Sequence, residues 1–202
     1  MSTLGAWIKA ARPRTLPLSL SGIIMGLALN VEHGNMAPMA VIGCIVTTIC
    51  FQVLSNFAND LGDGMKGTDN AARIGPMRAV QSGEISIQQM KTGVIVLGIL
   101  SVLAAGVVIY SAPAIQSGNG IIFYALLTLL CVFAAITYTV GKKAYGYHGL
   151  GDLMVFLFFG VVAVSGTKHL FDEQFVLNEL LGAIAIGAWS TMVLNLNNMR
   201  DI

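Results

Sequence analysis

The chain has 202 residues, of which 55% are hydrophobic and only 10% charged, and its net charge is +1. Soluble domains carry about a quarter charged residues, so this composition excludes an ordinary soluble fold and points to a bilayer. The near-neutral total also excludes a global basic field for nucleic acid, and any basic character must be local.

Lys9, Arg12 and Arg14 precede a first apolar stretch, Leu16 to Val31. A charged start before an apolar run resembles a secretory signal. Five more apolar runs follow, however, so it reads as an uncleaved first transmembrane helix. A spanning helix needs roughly 20 mostly apolar residues, and spans are predicted near residues 15–31, 37–58, 91–111, 120–140, 150–167 and 178–199. The predicted fold class is all-α, a polytopic transmembrane helix bundle of about six spans forming one membrane-embedded domain over residues 1–202. Small-residue pairs such as Gly22/Gly26 and Gly93/Gly98 let helices approach where lipid gives no hydrophobic drive to association. Cys44, Cys50 and Cys131 lie in apolar runs without metal-ligand spacing and read as small buried residues.

Threading six spans alternately places every basic residue but Lys168 on one face, which the positive-inside rule assigns to the cytoplasm. That face receives the one long polar segment, residues 59–90, predicted as a cytoplasmic loop. It also receives two nearly repeated segments. Val53-Leu54-Ser55-Asn56-Phe57-Ala58-Asn59-Asp60-Leu61-Gly62-Asp63 is echoed by Val193-Leu194-Asn195-Leu196-Asn197-Asn198-Met199-Arg200-Asp201. Asn59/Asp63 and Asn197/Asp201 are each four residues apart, a spacing that stacks amide and carboxylate on one helix face. A single Asn-Asp-x-Gly-Asp after a helix reads as a cap or turn. Its second copy, equally placed, turns the reading toward a hard-cation site.

The same face holds Asn56, Asp60, Asp69, Asn195 and Asn198 together with Lys66, Arg73, Arg78 and Lys142. Carboxylates and amides alone would suit a cation, and basic groups alone would suit lipid headgroups. Together they suit a metal–diphosphate, because magnesium keeps several waters and takes one or two carboxylates plus phosphate oxygens. In isolation Arg73, Arg78 and the Lys142/Lys143 pair read as topology signals. His33, His148 and His169 have no partner pattern and read as structural or solvated.

These residues resemble a known family. Asn59 through Asp69, followed by Arg73-Ile74-Gly75-Pro76-Met77-Arg78, is similar to the first aspartate-rich motif and loop of the UbiA-type intramembrane prenyltransferases. Within that superfamily the likeness is greatest to the 1,4-dihydroxy-2-naphthoate polyprenyltransferases of menaquinone synthesis. Ala11-Arg12-Pro13-Arg14-Thr15-Leu16-Pro17, Tyr138-Thr139-Val140-Gly141-Lys142, Tyr145 through Asp152 and Asn197-Asn198-Met199-Arg200-Asp201 add to the resemblance, which covers essentially the whole chain.

The resemblance implies that Asn59, Asp63, Asp69, Asn197 and Asp201 hold Mg2+ against a polyprenyl diphosphate. Asp60, Asp63, Asp69 and Asp201 form the catalytic aspartates. Lys66, Arg73, Arg78, Tyr138, Lys142, Asn56 and Asn198 are placed on the substrates. It implies transfer of the prenyl group to 1,4-dihydroxy-2-naphthoate with loss of the ring carboxylate, at the cytoplasmic side of a bacterial inner membrane. It also implies a nine-helix family fold and a second motif reading Asp-x-x-x-Asp, so the expectation is a C-terminally truncated chain. Another aromatic acceptor such as 4-hydroxybenzoate, an inactive fragment and a membrane cation-binding protein are the competing readings. In the last case carboxylates are expected near mid-membrane.

Overall fold

The computed structural model describes residues 3–31, 36–67 and 77–200. The expectations for Asp69, Arg73 and Asp201 lie outside the described residues, as does that for His33. Among the described residues the chain is all-helical. Helix α1 (Thr3–Ala11) is followed by α2 (Leu16–Ala28), α3 (Pro38–Lys66), α4 (Ile87–Ser111), α5 (Gly118–Thr137), α6 (Gly151–His169) and α7 (Leu177–Arg200). Five of these, α3 to α7, are long and apolar enough to cross a membrane.

Helix α2 departs from the six expected spans. Its 13 residues extend about 20 Å, short of a hydrocarbon core of about 30 Å. The break lies at Arg12, whose backbone is left-handed (φ 49°, ψ 64°) ahead of Pro13, so α1 cannot run into α2. α2 packs against α3, α6 and α7 as an inner wall. Gly26 lets it come that close, since a Cβ there would lie 2.5 Å from the Val164 carbonyl.

The second departure bears on the site. The sequence places residues 59–90 in a loop, but α3 continues to Lys66 and α4 starts at Ile87. Nothing between Asn59 and Lys66 forbids a helix, and the stop comes from Gly67, which takes φ 66° and returns its N–H to the Asp63 carbonyl. At the other end Ser86 and Gln89 form a reciprocal capping box that starts α4. The first aspartate-rich segment is therefore carried on rigid helix.

Phe156–Val162 in the middle of α6 is a π-helical turn. It packs on α7 through Gly160, where a Cβ would come 2.5 Å from the Ala183 carbonyl. The buried core has two parts. Leu54, Phe57, Leu61, Met90 and Val94 cluster at the site end, and Ile23, Cys44, Val108, Leu170 and Phe171 at the far end. Helix α5 turns Leu126, Leu129, Leu130 and Phe133 outward, the exposed apolar surface of a protein whose solvent is lipid.

Candidate active site

The starts of α2, α4 and α6 and the ends of α3, α5 and α7 share one face, tied together by polar bonds. Thr139, just past α5, donates to the Ala58 carbonyl at 2.9 Å and to Asn59 Oδ1 at 3.2 Å. That approach depends on Gly62, where a Cβ would lie 2.7 Å from Thr139. Asn195 on α7 donates to Asp152 Oδ2 on α6 at 3.2 Å. Beneath this face lies a cavity of about 1130 Å³. Its polar mouth includes Arg12, Arg14, Asn59, Asp63, Arg78 and Asn197, and its apolar depth reaches Cys44, Val108 and Phe159. From Asp63 back to Cys44 along α3 is about 28 Å at 1.5 Å per residue, most of a bilayer core.

The two aspartates of α3 have different partners. Asp60 is 1% exposed, and its two oxygens accept the backbone N–H groups of Ala79 (3.1 Å) and Val80 (3.2 Å). It pins the segment that carries Arg78. Asp63 ion-pairs with Arg78 and accepts a hydrogen bond from the Tyr147 phenol. Arg78 Nη1 also donates to the Asn59 carbonyl at 3.0 Å. Both aspartates line the cavity.

Asn56 is buried, and its amide is committed: it donates to the Ala11 carbonyl (2.8 Å) and Thr15 Oγ1 (3.1 Å) while Gln52 donates to its oxygen (3.3 Å). It ties the Arg12–Thr15 turn to α3. Tyr138 lines the cavity beside Tyr145, with ring centroids 5.3 Å apart. Burial, then the charge of Asp152, raises the Tyr138 phenol, against a lowering by Arg78; burial pushes Tyr145 up to about 12. Both phenols are hydrogen-bond donors at physiological pH. Asn197 and Asn198 line the cavity from α7. Lys66 is exposed with its ammonium 3.8 Å from the Tyr147 ring centroid. Lys142 is exposed on the turn after α5, outside the cavity wall.

Sequence reasoning passed over Tyr147, Thr139 and the inward role of Arg12 and Arg14. Tyr147 sits within a stretch that carried the family resemblance, but its meeting with Asp63 crosses 84 positions of sequence. The two arginines were read as topology charges, and only the left-handed turn at Arg12 brings them to the cavity.

A hard cation fits the donors present, which are amide and carboxylate oxygens. Asp63 is 7% exposed and already paired with a cation, Arg78, so the position demands positive charge. Among the described residues no three His, Cys, Asp or Glu side chains cluster as a metal site. A cation at Asp63 would complete its shell from amides, phosphate oxygens or water.

A family model described as the UbiA prenyltransferase family matches residues 19–202. The chain is 43% identical over 201 residues to a 1,4-dihydroxy-2-naphthoate octaprenyltransferase of Haemophilus influenzae, covering 98% of this chain and 65% of the relative. It is 41% identical over 202 residues to the protein of that name in Escherichia coli, covering 100% and 65%. It is 25% identical to the human UbiA prenyltransferase domain-containing protein 1, covering 98% and 56%. The chain thus spans about 65% of the length of the bacterial relatives. No solved structure matches it. A family match over nearly the whole chain, on a bundle that is all-helical among the described residues and has five helices able to cross a membrane, shows that this integral membrane protein belongs to the UbiA prenyltransferase family.

Proposed function

We propose that the cavity is the site of a Mg2+-dependent 1,4-dihydroxy-2-naphthoate polyprenyltransferase of menaquinone synthesis, facing the cytoplasm from a bacterial inner membrane. The observation that carries this reading is the shared cavity: Asn59 and Asp63 of α3 and Asn197 and Asn198 of α7 line one polar mouth above an apolar depth. Positive-inside charge and the printed names of the bacterial relatives support the side and the acceptor.

Bound Mg2+ would supply charge stabilisation for the departing diphosphate. Asn59, Asp63, Asn197 and Asn198 offer the oxygens to hold it. Arg78, Arg12 and Arg14 place positive charge at the same mouth, where preorganised charge lowers the barrier most. Tyr138, kept protonated, offers a donor. The apolar depth holds the isoprenoid and excludes water from the allylic carbon. As the C–O bond to diphosphate breaks, the ring carbon bearing the carboxylate bonds to the prenyl carbon, and carbon dioxide leaves as aromaticity returns.

The test is incubation of membranes carrying the protein with a polyprenyl diphosphate, Mg2+ and either 1,4-dihydroxy-2-naphthoate or 4-hydroxybenzoate. Prenylated, decarboxylated naphthoquinol is the expected product. Product with 4-hydroxybenzoate alone would reassign the acceptor, and product with neither would sink the reading.

A further inference from the structure

Among the described residues, the left-handed backbone positions are Gly67, Gly83, Gly141, Gly149 and one residue that is not glycine, Arg12. A Cβ makes that conformation unfavourable, and a glycine at residue 12 would take the same turn without strain. Strained residues of this kind persist only where their surroundings over-determine them, and they cluster at functional sites.

The surroundings here are one polar chain from α3. Asn56, 4% exposed, donates to the Ala11 carbonyl at 2.8 Å and to Thr15 Oγ1 at 3.1 Å. Thr15 Oγ1 in turn donates to the Arg12 carbonyl at 2.9 Å. Gln52 donates to Asn56 Oδ1 at 3.3 Å and fixes which way the amide faces. The Ala11 and Arg12 carbonyls belong to the two peptide planes on either side of the Arg12 Cα. Rotation of those planes defines φ and ψ of Arg12, so the chain from Gln52 through Asn56 to Thr15 sets both angles.

Four residues along the same helix, Asp60 holds the backbone beside Arg78. Helix α3 therefore fixes the backbone at two arginines of the cavity mouth, Arg12 and Arg78, and carries Asn59 and Asp63 between them. We propose that Asn56 and Thr15 are positioning residues that hold Arg12 in its strained backbone so that its guanidinium meets the diphosphate of the prenyl substrate. This deepens the diphosphate reading of the cavity and rests on it.

The probe is radiolabelled geranylgeranyl diphosphate with Mg2+. Its equilibrium binding to the full chain in lipid nanodiscs is read beside the thermal unfolding midpoint. Arg12→Ala and Arg12→Gly should each raise Kd about tenfold. Both lack the guanidinium, so they differ in strain alone, and the glycine variant should unfold about 2–4 °C above the alanine variant. Thr15→Val, which deletes one hydroxyl at constant size, should raise Kd about fivefold, and Thr15→Ser should stay within about twofold of wild type. In the Arg12→Gly background Thr15→Val should change Kd by less than about twofold, because the threonine acts through Arg12. Asn56→Leu should follow Thr15→Val, which decides the matter where the leucine variant does not insert.

A purely structural turn predicts that Thr15→Val lowers the midpoint and leaves Kd unchanged, and that result overturns the proposal. So does a fivefold loss that persists in the Arg12→Gly background, or a glycine variant no more stable than the alanine variant. Wild type that binds no prenyl diphosphate overturns the diphosphate reading and this proposal with it. Wild-type binding with the wrong variant pattern overturns the proposal alone.

Discussion

Asp60 and Asp63 lie on adjacent turns of α3, and their carboxylates meet different partners. Asp60→Asn keeps the shape but leaves one of two buried N–H groups facing an amide nitrogen. It should cost about 1–3 kcal/mol, read as a lowered unfolding midpoint in detergent. Asp63→Asn breaks the buried pair with Arg78 and should also lower that midpoint, but turnover should fall about 100-fold as well. Turnover equal in the two variants would contradict this division. For Arg78→Ala, the KM for prenyl diphosphate should rise about tenfold or more with insertion intact, and Arg78→Lys should restore only part of it, because a point charge replaces a bidentate fork. Unchanged kinetics would return Arg78 to a topology signal.

At the scale of elements, the far end of the bundle holds a tie of its own. Lys168, the one basic residue threaded to the opposite face, has no exposed side-chain surface and is not a solvated charge there. Its ammonium donates to Asp172 Oδ2 (2.9 Å), to the Asp172 carbonyl (3.0 Å) and to the Gln174 carbonyl, fixing the turn between α6 and α7. Beside it His169 meets the buried Glu179 at 3.0 Å, and Asn30 of the α2 end donates to the Lys168 carbonyl at 3.1 Å. Lys168→Met should therefore destabilise by about 3 kcal/mol, since breaking a buried pair leaves its partners desolvated. The measurement is thermal unfolding in detergent. A loss below about 1 kcal/mol would show that water replaces the ammonium.

For the whole molecule, the cavity matters more than any one residue at its mouth. It runs about 28 Å from Asp63 to Cys44, from a polar mouth into an apolar depth, so a ligand with a charged head and a long hydrocarbon tail fits where a small ion alone would leave the depth unused. The described carboxylates at the mouth, Asp60 and Asp63, sit at a helix end, against the mid-membrane position expected of a cation-binding protein. Chelation with EDTA should abolish prenyl transfer in membranes and added Mg2+ should restore it. Turnover that persists in EDTA would remove the cation from the proposed chemistry.

Length and apolarity of the runs were enough to reveal a helical membrane protein, because a bilayer allows few ways to satisfy backbone groups. The i, i+4 spacings of Asn59/Asp63 and Asn197/Asp201 put amide and carboxylate on one helix face in each copy, because helix period fixes which side chains share a face; Asn59, Asp63 and Asn197 line one cavity, and Asp201 lies outside the described residues. The sequence did not reveal that α3 runs on to Lys66, since a helix end depends on where one glycine adopts a left-handed backbone. Nor did it separate Asp60 from Asp63, because identical carboxylates differ only in what packs against them. Tyr147, the inward turn of Arg12 and Arg14, and the internal pairing of Lys168 arise from contacts between distant segments. Periodicity and composition record which face a residue occupies, whereas its partner is set only when the helices close around it.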